Sequence, residues 1–279
     1  MNMMVNPPPG LGPILTEESL RSIVPSVFAT RPWERMSSRY RFVPTIDVVR
    51  KMQDTGFYPV HAMQSRTRIE GKAGFVKHII RFRSTALERV GQEIPEVIIL
   101  NSHDGSSQYR IGLGIFSVVC LNGLVVAKSS LSNLMVRHSG NDEVLTQIGA
   151  ATDKIVNDVP RIMATIDGWQ KQYISGSTQL AYATEAYKFR TSTLTYDPEQ
   201  LLVARRSSEH PNIDGERSLW TTYNVVQENM IKGGLYGRNA RDNPRRVRAI
   251  KTVDADLATN EKLWALAQSY TPRALEIAA

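Results

Sequence analysis

The side chains in this sequence best suited to chemistry are cations set among aromatic rings. Arg238, Arg241, Arg245, Arg246 and Arg248 crowd the segment GGLYGRNARDNPRRVR together with Tyr236. A guanidinium pairs bidentately with phosphate oxygens, and both it and a tyrosine ring offer flat surfaces for base stacking. The glycines of this segment follow a predicted helix, so they lack the strand, loop and helix order of a phosphate-cradling loop. A second group lies in RPWERMSSRYRF, where Trp33, Tyr40 and Phe42 alternate with Arg31, Arg35, Arg39 and Arg41. That alternation suits single strands, whose bases stack while their phosphates are neutralised. It serves equally to anchor the segment on a core. Arg66 and Arg68 stand two apart at the end of a predicted strand. In the next strand Lys77, Arg81 and Arg83 share the face opposite Val76, His78, Ile80 and Phe82, which predicts one core face and one cationic face.

A different chemistry is available to His78, His103 and Asp104. Histidine and carboxylate together make a metal site or an acid and base pair. Spacing within the turn NSHDG is no metal signature, however, and His78 falls on an apolar face, where a hydrogen-bonded core histidine is the commoner outcome. Asp104-Gly105 reads as a turn, Asp bonding its own downstream backbone and Gly accepting positive φ. Cys120 sits in an apolar strand and behaves there as a small hydrophobe. No Walker loop, dinucleotide fingerprint, zinc-binding helix or serine elbow occurs at its required spacing. No catalytic residue and no cofactor is assigned. The metal-dependent nuclease or nucleotide hydrolase built on His78, His103 and Asp104 stays as an alternative.

Composition sets the partner class. The 279 residues carry a formal charge of +7, which draws polyanions without dictating a fold. Residues 31–89 hold thirteen Lys or Arg against five Asp or Glu, and residues 232–251 hold seven against one, while residues 140–200 are mildly acidic. No apolar run approaches the roughly 20 residues of a membrane span. One cysteine excludes a disulfide framework and points to a reducing compartment.

The elements that must position these groups follow from pattern. Residues 1–30 contain Pro7, Pro8, Pro9, Gly10, Gly12 and Pro13 and predict a flexible lead-in. Thr45 caps a short helix that Gly56 stops. Strands then alternate through residue 139, with turns at GKAG, HDGSS and Asn122-Gly123. After Gly140 the period becomes helical from Val144 to Trp169, with Pro160 expected to kink or split the helix. Further helices are predicted at 178–189, after Asp197-Pro198, after Ser218 as far as Gly233-Gly234, and from Asp256 to Ser269. The fold class is therefore α+β: an antiparallel sheet of four or five strands in a β-rich basic subdomain (31–139), packed by a helical subdomain (140–279) with a basic loop at 232–251.

The blocks RYRFVPTIDVV, GFYPVHAMQSRTR, KHIIRFR, ILNSHDGSSQYRIGLGIFSVVCLNGLVV, LWTTYNVVQENMIKGGL and NEKLWALA resemble the family of phage- and plasmid-borne proteins catalogued as domain of unknown function 932. The likeness runs from about Arg39 to Ser269. It implies a mobile-element gene working in the cytoplasm of a bacterial host, and brings no catalytic residues to carry over. In architecture the chain is also similar to phage single-strand annealing proteins, which assemble as homo-oligomeric rings or helices. The resulting expectation is a cofactor-free, oligomeric protein that binds and anneals single-stranded DNA in recombination or replication. A host-interaction (antidefence) protein is a further alternative.

Overall fold

A computed structural model describes residues 11–38, 40, 42–87, 89, 91, 93–117, 134–136, 141–190, 194–205 and 217–271. Helix α1 (Glu17–Ile23), a 3-10 turn (Pro25–Phe28) and helix α2 (Thr45–Asp54) lead into strands β1 (Tyr58–Gln64), β2 (His78–Arg83), β3 (Glu93–Asn101), β4 (Tyr109–Ser117) and β5 (Leu134–Val136). Helix α3 (Asn141–Lys171), strand β6 (Tyr173–Ile174), helix α4 (Gly176–Tyr187), a 3-10 turn (Pro198–Leu202), strand β7 (Arg217–Ser218) and helix α5 (Leu219–Lys232) follow. Strands β8 (Tyr236–Arg238) and β9 (Pro244–Arg246) and helix α6 (Val253–Ser269) complete the order. Strands β1 to β5 form one sheet in chain order, antiparallel between β1 and β2, β2 and β3, and β4 and β5. The architecture is α+β, a sheet followed by a mainly helical half. Among the described residues no helix is long and apolar enough to cross a membrane.

The chain gathers into two compact units. One draws on residues within 1–89, 94–114 and 131–159, the other on residues within 90–93, 115–130 and 160–279. In the first, Val48, Val49 and Met52 of α2, Ile80 and Phe82 of β2, Val97 and Ile99 of β3, and Ile148 and Ile155 of α3 are buried. In the second, Trp169, Trp220, Tyr223 and Trp264 form an aromatic cluster, with Trp220 and Tyr223 stacked at 5.2 Å and Trp169 and Trp264 4.6 Å apart. Such pairs add roughly 0.5–1.5 kcal/mol each beyond the area they bury. The indole N–H of Trp220 donates to the buried Glu93 carboxylate at 2.9 Å.

Four sequence expectations change. Within the expected flexible lead-in of residues 1–30, the described residues form regular structure: Thr16 caps α1 by accepting from Ser19 N, and Leu20, Val24 and Val27 are fully buried. The proline run ends at Pro13, leaving TEESL free to start a helix. Helix α3 runs unbroken through Pro160, and the segment after Asp197 makes only a 3-10 turn. Strand β1 stops at Gln64, so Arg66 and Arg68 lie in the loop that follows rather than on a strand. The Asn122-Gly123 turn and Cys120 lie outside the described residues.

The largest correction concerns β2. Its second face is not a cationic surface, because Arg81 is 6% exposed and both Arg81 and Arg83 bind one buried carboxylate, Glu96 of β3. Arg83 Nε meets Glu96 Oε1 at 2.8 Å, and Arg83 Nη1 donates to Leu11 O at 3.0 Å. Alternation within β2 places these arginines correctly on one side, but the neighbouring strand supplies the counter-charge that allows them to be buried. Removing that carboxylate leaves guanidinium groups unpaired in a poorly solvated layer. Glu96→Ala is therefore expected to cost about 3–5 kcal/mol of unfolding free energy in a denaturant titration; a loss below about 1 kcal/mol contradicts the pairing.

Candidate nucleic-acid interface

The segment 232–251 is a β-hairpin, where the sequence predicts a loop. Ser218 caps α5 by accepting from Thr221 N at 3.1 Å, and the helix ends at Gly233 (φ +61°) and Gly234 (φ +82°). A side chain at Gly233 would lie 2.6 Å from Val247 O, so the reversal requires glycine both for its dihedral and for its close approach. The chain then pairs Tyr236 with Arg246, Gly237 with Arg245 and Arg238 with Pro244. At the tip, Asn239 Oδ1 accepts from Arg241 N at 3.0 Å and Asn243 N at 2.9 Å, while Asp242 takes the left-handed φ of +60° that Asp tolerates better than most residues.

Residues distant in sequence hold this hairpin. Thr195 and Arg238 exchange two backbone hydrogen bonds, at 2.9 and 2.8 Å, an isolated antiparallel bridge on the outer edge of β8. Gln200 imitates a further one: its amide donates to Tyr236 O and accepts from Tyr236 N, both at 2.8 Å. Arg190 donates to Met230 O and Arg248 O, tying the end of α5 to the exit of β9. Arg205 donates to Gly233 O and, at 3.0 Å, to Asn229 Oδ1. Burial lowers the pKa of Arg190 from its ordinary value. None of Thr195, Arg190, Gln200 or Arg205 carries a local sequence signal for this role, since each acts on a carbonyl or amide far along the chain.

On that support Arg238, Arg241, Arg245, Arg246 and Arg248 are all exposed, and Tyr236 is 64% exposed. The register sets Tyr236, Arg238 and Arg246 on one face of the hairpin, with Arg245 on the other. Arg246 lies over the Tyr236 ring, its guanidinium carbon 4.4 Å from the centroid, and donates to the Tyr236 hydroxyl. Arg238 Nη1 pairs with Asp242 Oδ2 at 3.0 Å. What remains is a rigid, strongly cationic finger with an aromatic plane, suited to phosphates on its rim and a base on its ring.

The other expected contacts separate into exposed and anchored. Arg66 and Arg68 are exposed, and Lys77 is half-buried just before β2. Arg39 and Arg41 lie outside the described residues. Trp33 packs against Phe75 with ring centroids 5.4 Å apart. Tyr40 donates to Ser102 O at 3.0 Å, and burial, with Asp104 nearby, pushes its hydroxyl up to about 12. Tyr40 thus takes the anchoring role that the alternating segment also allowed.

His78 and His103 do come together, with ring centroids 5.3 Å apart, but inside the first unit, both fully buried. Their Nε2 atoms converge on one hydroxyl, Thr45 Oγ1, at 2.9 and 3.1 Å, which also receives Asn101 Nδ2 at 3.0 Å. Tyr109 OH lies 3.1 Å from that hydroxyl and 3.2 Å from Val43 O. A hydroxyl gives one hydrogen bond and accepts two, which assigns the network. His78 Nδ1 donates to Val76 O and Ser26 Oγ, each 3.0 Å away, so its Nε2 accepts from Thr45. His103 Nε2 and Asn101 then donate to Thr45, and Tyr109 donates to Val43 O. This is why Thr45 opens α2 without capping it, the cap position being Pro44. Asp104 turns elsewhere, accepting from Ser106 N at 3.0 Å and Oγ at 2.6 Å, and pairing with Lys72 at 3.0 Å. Burial works to raise its pKa, and these partners outweigh it, leaving it lowered. The turn reading of Asp104-Gly105 is thereby met, Gly105 having φ +75°. Among the described residues no three His, Cys, Asp or Glu side chains are placed to hold a metal.

Residues 32–264 match the family model described as Domain of unknown function (DUF932). Two relatives from Escherichia coli strain K12 align over 257 residues, 91% of this chain and 91% of theirs. The UPF0380 protein YafZ is 37% identical and the UPF0380 protein YfjQ 36% identical. No solved structure matches the chain.

Buried His78 makes stability depend on pH. Burial holds His78 down at about 4, from an ordinary 6.5, against the opposing pull of the Val76 carbonyl and Asp104. Between those values the unfolded chain binds a proton that the folded chain refuses. Stability is complete above about pH 6.5 and falls toward pH 4, by about 3 kcal/mol from this residue. Denaturant titrations at about pH 7 and about pH 4.5 are expected to show this fall in the wild type and a shallower one in His78→Gln. Equal falls contradict the assignment.

Proposed function

We propose that this chain, which belongs to the Domain of unknown function (DUF932) family, binds single-stranded nucleic acid, DNA in particular, and presents it for annealing to a complementary strand. The observation that carries this reading is the hairpin β8–β9, which leaves Arg241, Arg245, Arg246 and Arg248 exposed and sets Arg246 over the exposed Tyr236 ring. Phosphate contacts position a strand without reading its sequence, and ring contacts hold bases by a face that every base possesses. A strand held in this way keeps its pairing edges outward, which is the condition annealing requires. In a duplex the base faces are already stacked on one another, so the tyrosine has nothing to add. The exposed Arg66 and Arg68 of the first unit fit the same polyanion chemistry.

Single-strand binding is expected to weaken with salt. Four arginine contacts give a slope of log K against log salt of about −3 for single strands. Replacing both Arg245 and Arg246 by alanine is expected to make that slope shallower by about 1.4 and to slow annealing of complementary oligonucleotides. Fluorescence anisotropy over a salt series, with single-stranded and duplex DNA of matched length, measures this. Absence of binding at low salt, or equal affinity for the two forms, overturns the proposal.

A further inference from the structure

Beside the hairpin the second unit carries an open groove of about 530 Å3 whose lining includes Thr195, Asp197, Tyr236, Arg238, Asn239 and Asp242. Its size falls within the roughly 300–1,000 Å3 range of small-molecule sites. Thr195 and Arg238, which pair through their backbones, both line it, and Gly237 is obligatory there because a Cβ would stand 2.8 Å from Thr195 O. The groove differs in charge from the hairpin around it. Arg238 is already paired with Asp242, and Asp197 adds a second carboxylate. Phosphates are repelled from such a lining and settle on the arginines outside it.

We infer that this groove receives one base of the bound strand, whose pairing edge is withheld while its neighbours stay open to pairing, and that Asp197 makes it selective for guanine; the inference rests on the single-strand reading above. Asp197 is held in place by accepting from Glu199 N at 2.9 Å, and Pro198, which follows it, fixes the backbone. An ionised carboxylate offers two oxygens with about four acceptor sites, so one bond to Glu199 N leaves capacity for a base edge. Guanine alone presents two adjacent donors, N1–H and the N2 amine, at the spacing of a carboxylate. Thymine offers N3–H between two carbonyl oxygens that a carboxylate repels. Adenine and cytosine each set an acceptor nitrogen beside their single amine. Tyr236, also in the lining, offers the base the ring face that Arg246 does not cover.

The test uses the full-length protein and short dT oligonucleotides carrying one internal dG, deoxyinosine or dA, with anisotropy as the readout. A single dG is expected to tighten binding about tenfold over all-dT, the scale of one bidentate base contact. Deoxyinosine, which lacks the N2 amine, should lose most of that gain, and dA all of it. Asp197→Asn, which retains an N-capping side chain, should bring the ratio of dG to dT affinity to about one, with a thermal unfolding midpoint matching the wild type as the check that the variant is folded. If wild-type protein binds all these oligonucleotides equally, the groove inference fails and single-strand binding stands. A dG preference that survives in Asp197→Asn also overturns the inference. Failure to bind any oligonucleotide at low salt removes the single-strand reading and the groove with it.

Discussion

Taking a guanidinium out of water costs several kcal/mol unless a partner replaces the lost hydration, and that constraint sorts the arginines of this protein. Arg81 and Arg83 enter the sheet because Glu96 meets both. Arg190 and Arg217 are half-buried against backbone carbonyls, Arg217 donating to Leu202 O at 2.7 Å, and the exposed Arg205 donates to Gly233 O. Carbonyls satisfy the N–H groups without cancelling the charge, and burial accordingly lowers Arg190 and Arg217. Those on the hairpin stay in water, where their charge is available to a polyanion. The candidate interface consists of cations the fold has no need to consume.

The same economy appears in the polar atoms that hold the two units in shape. Thr45 Oγ1 joins α2 to His78 at the start of β2, to Asn101 at the end of β3 and to His103 in the turn beyond it. A buried network of this kind favours one arrangement of its elements, since most alternatives strand further donors or acceptors. In the second unit Gln200, Arg190 and Arg205 do for the hairpin what Thr45 does for the sheet. A two-stranded ribbon of three residues a side is at best marginal in water, and these side chains hold its backbone from outside. A binding surface supported in this way loses little freedom when a ligand arrives.

Much of this was legible in the sequence where the signal was local. The change of period after Gly140, the caps at Ser218 and Asp197, the Gly233-Gly234 stop and the turn at Asp104-Gly105 are all read correctly from a few residues each. Reading failed where a distant partner decides the outcome. The strand pattern places Arg81 and Arg83 on one side but is blind to Glu96, fifteen and thirteen residues away on the neighbouring strand, and so predicts an open cationic face. Thr45 looks like a cap because nothing nearby reveals that two histidines claim its hydroxyl. The basic segment 232–251 shows its arginines in the sequence and conceals its hairpin, because Pro244 and the short strands give no alternation, and the pairing depends on Thr195 and Gln200.

The most direct test of the central claim is to map where a strand touches the protein. A dT oligonucleotide carrying photoreactive 5-iodouracil, crosslinked to the full-length chain at low salt and located by mass spectrometry, is predicted to mark Tyr236 and its neighbours in 234–248. Adducts confined to other parts of the chain, with the hairpin unmarked, contradict the account.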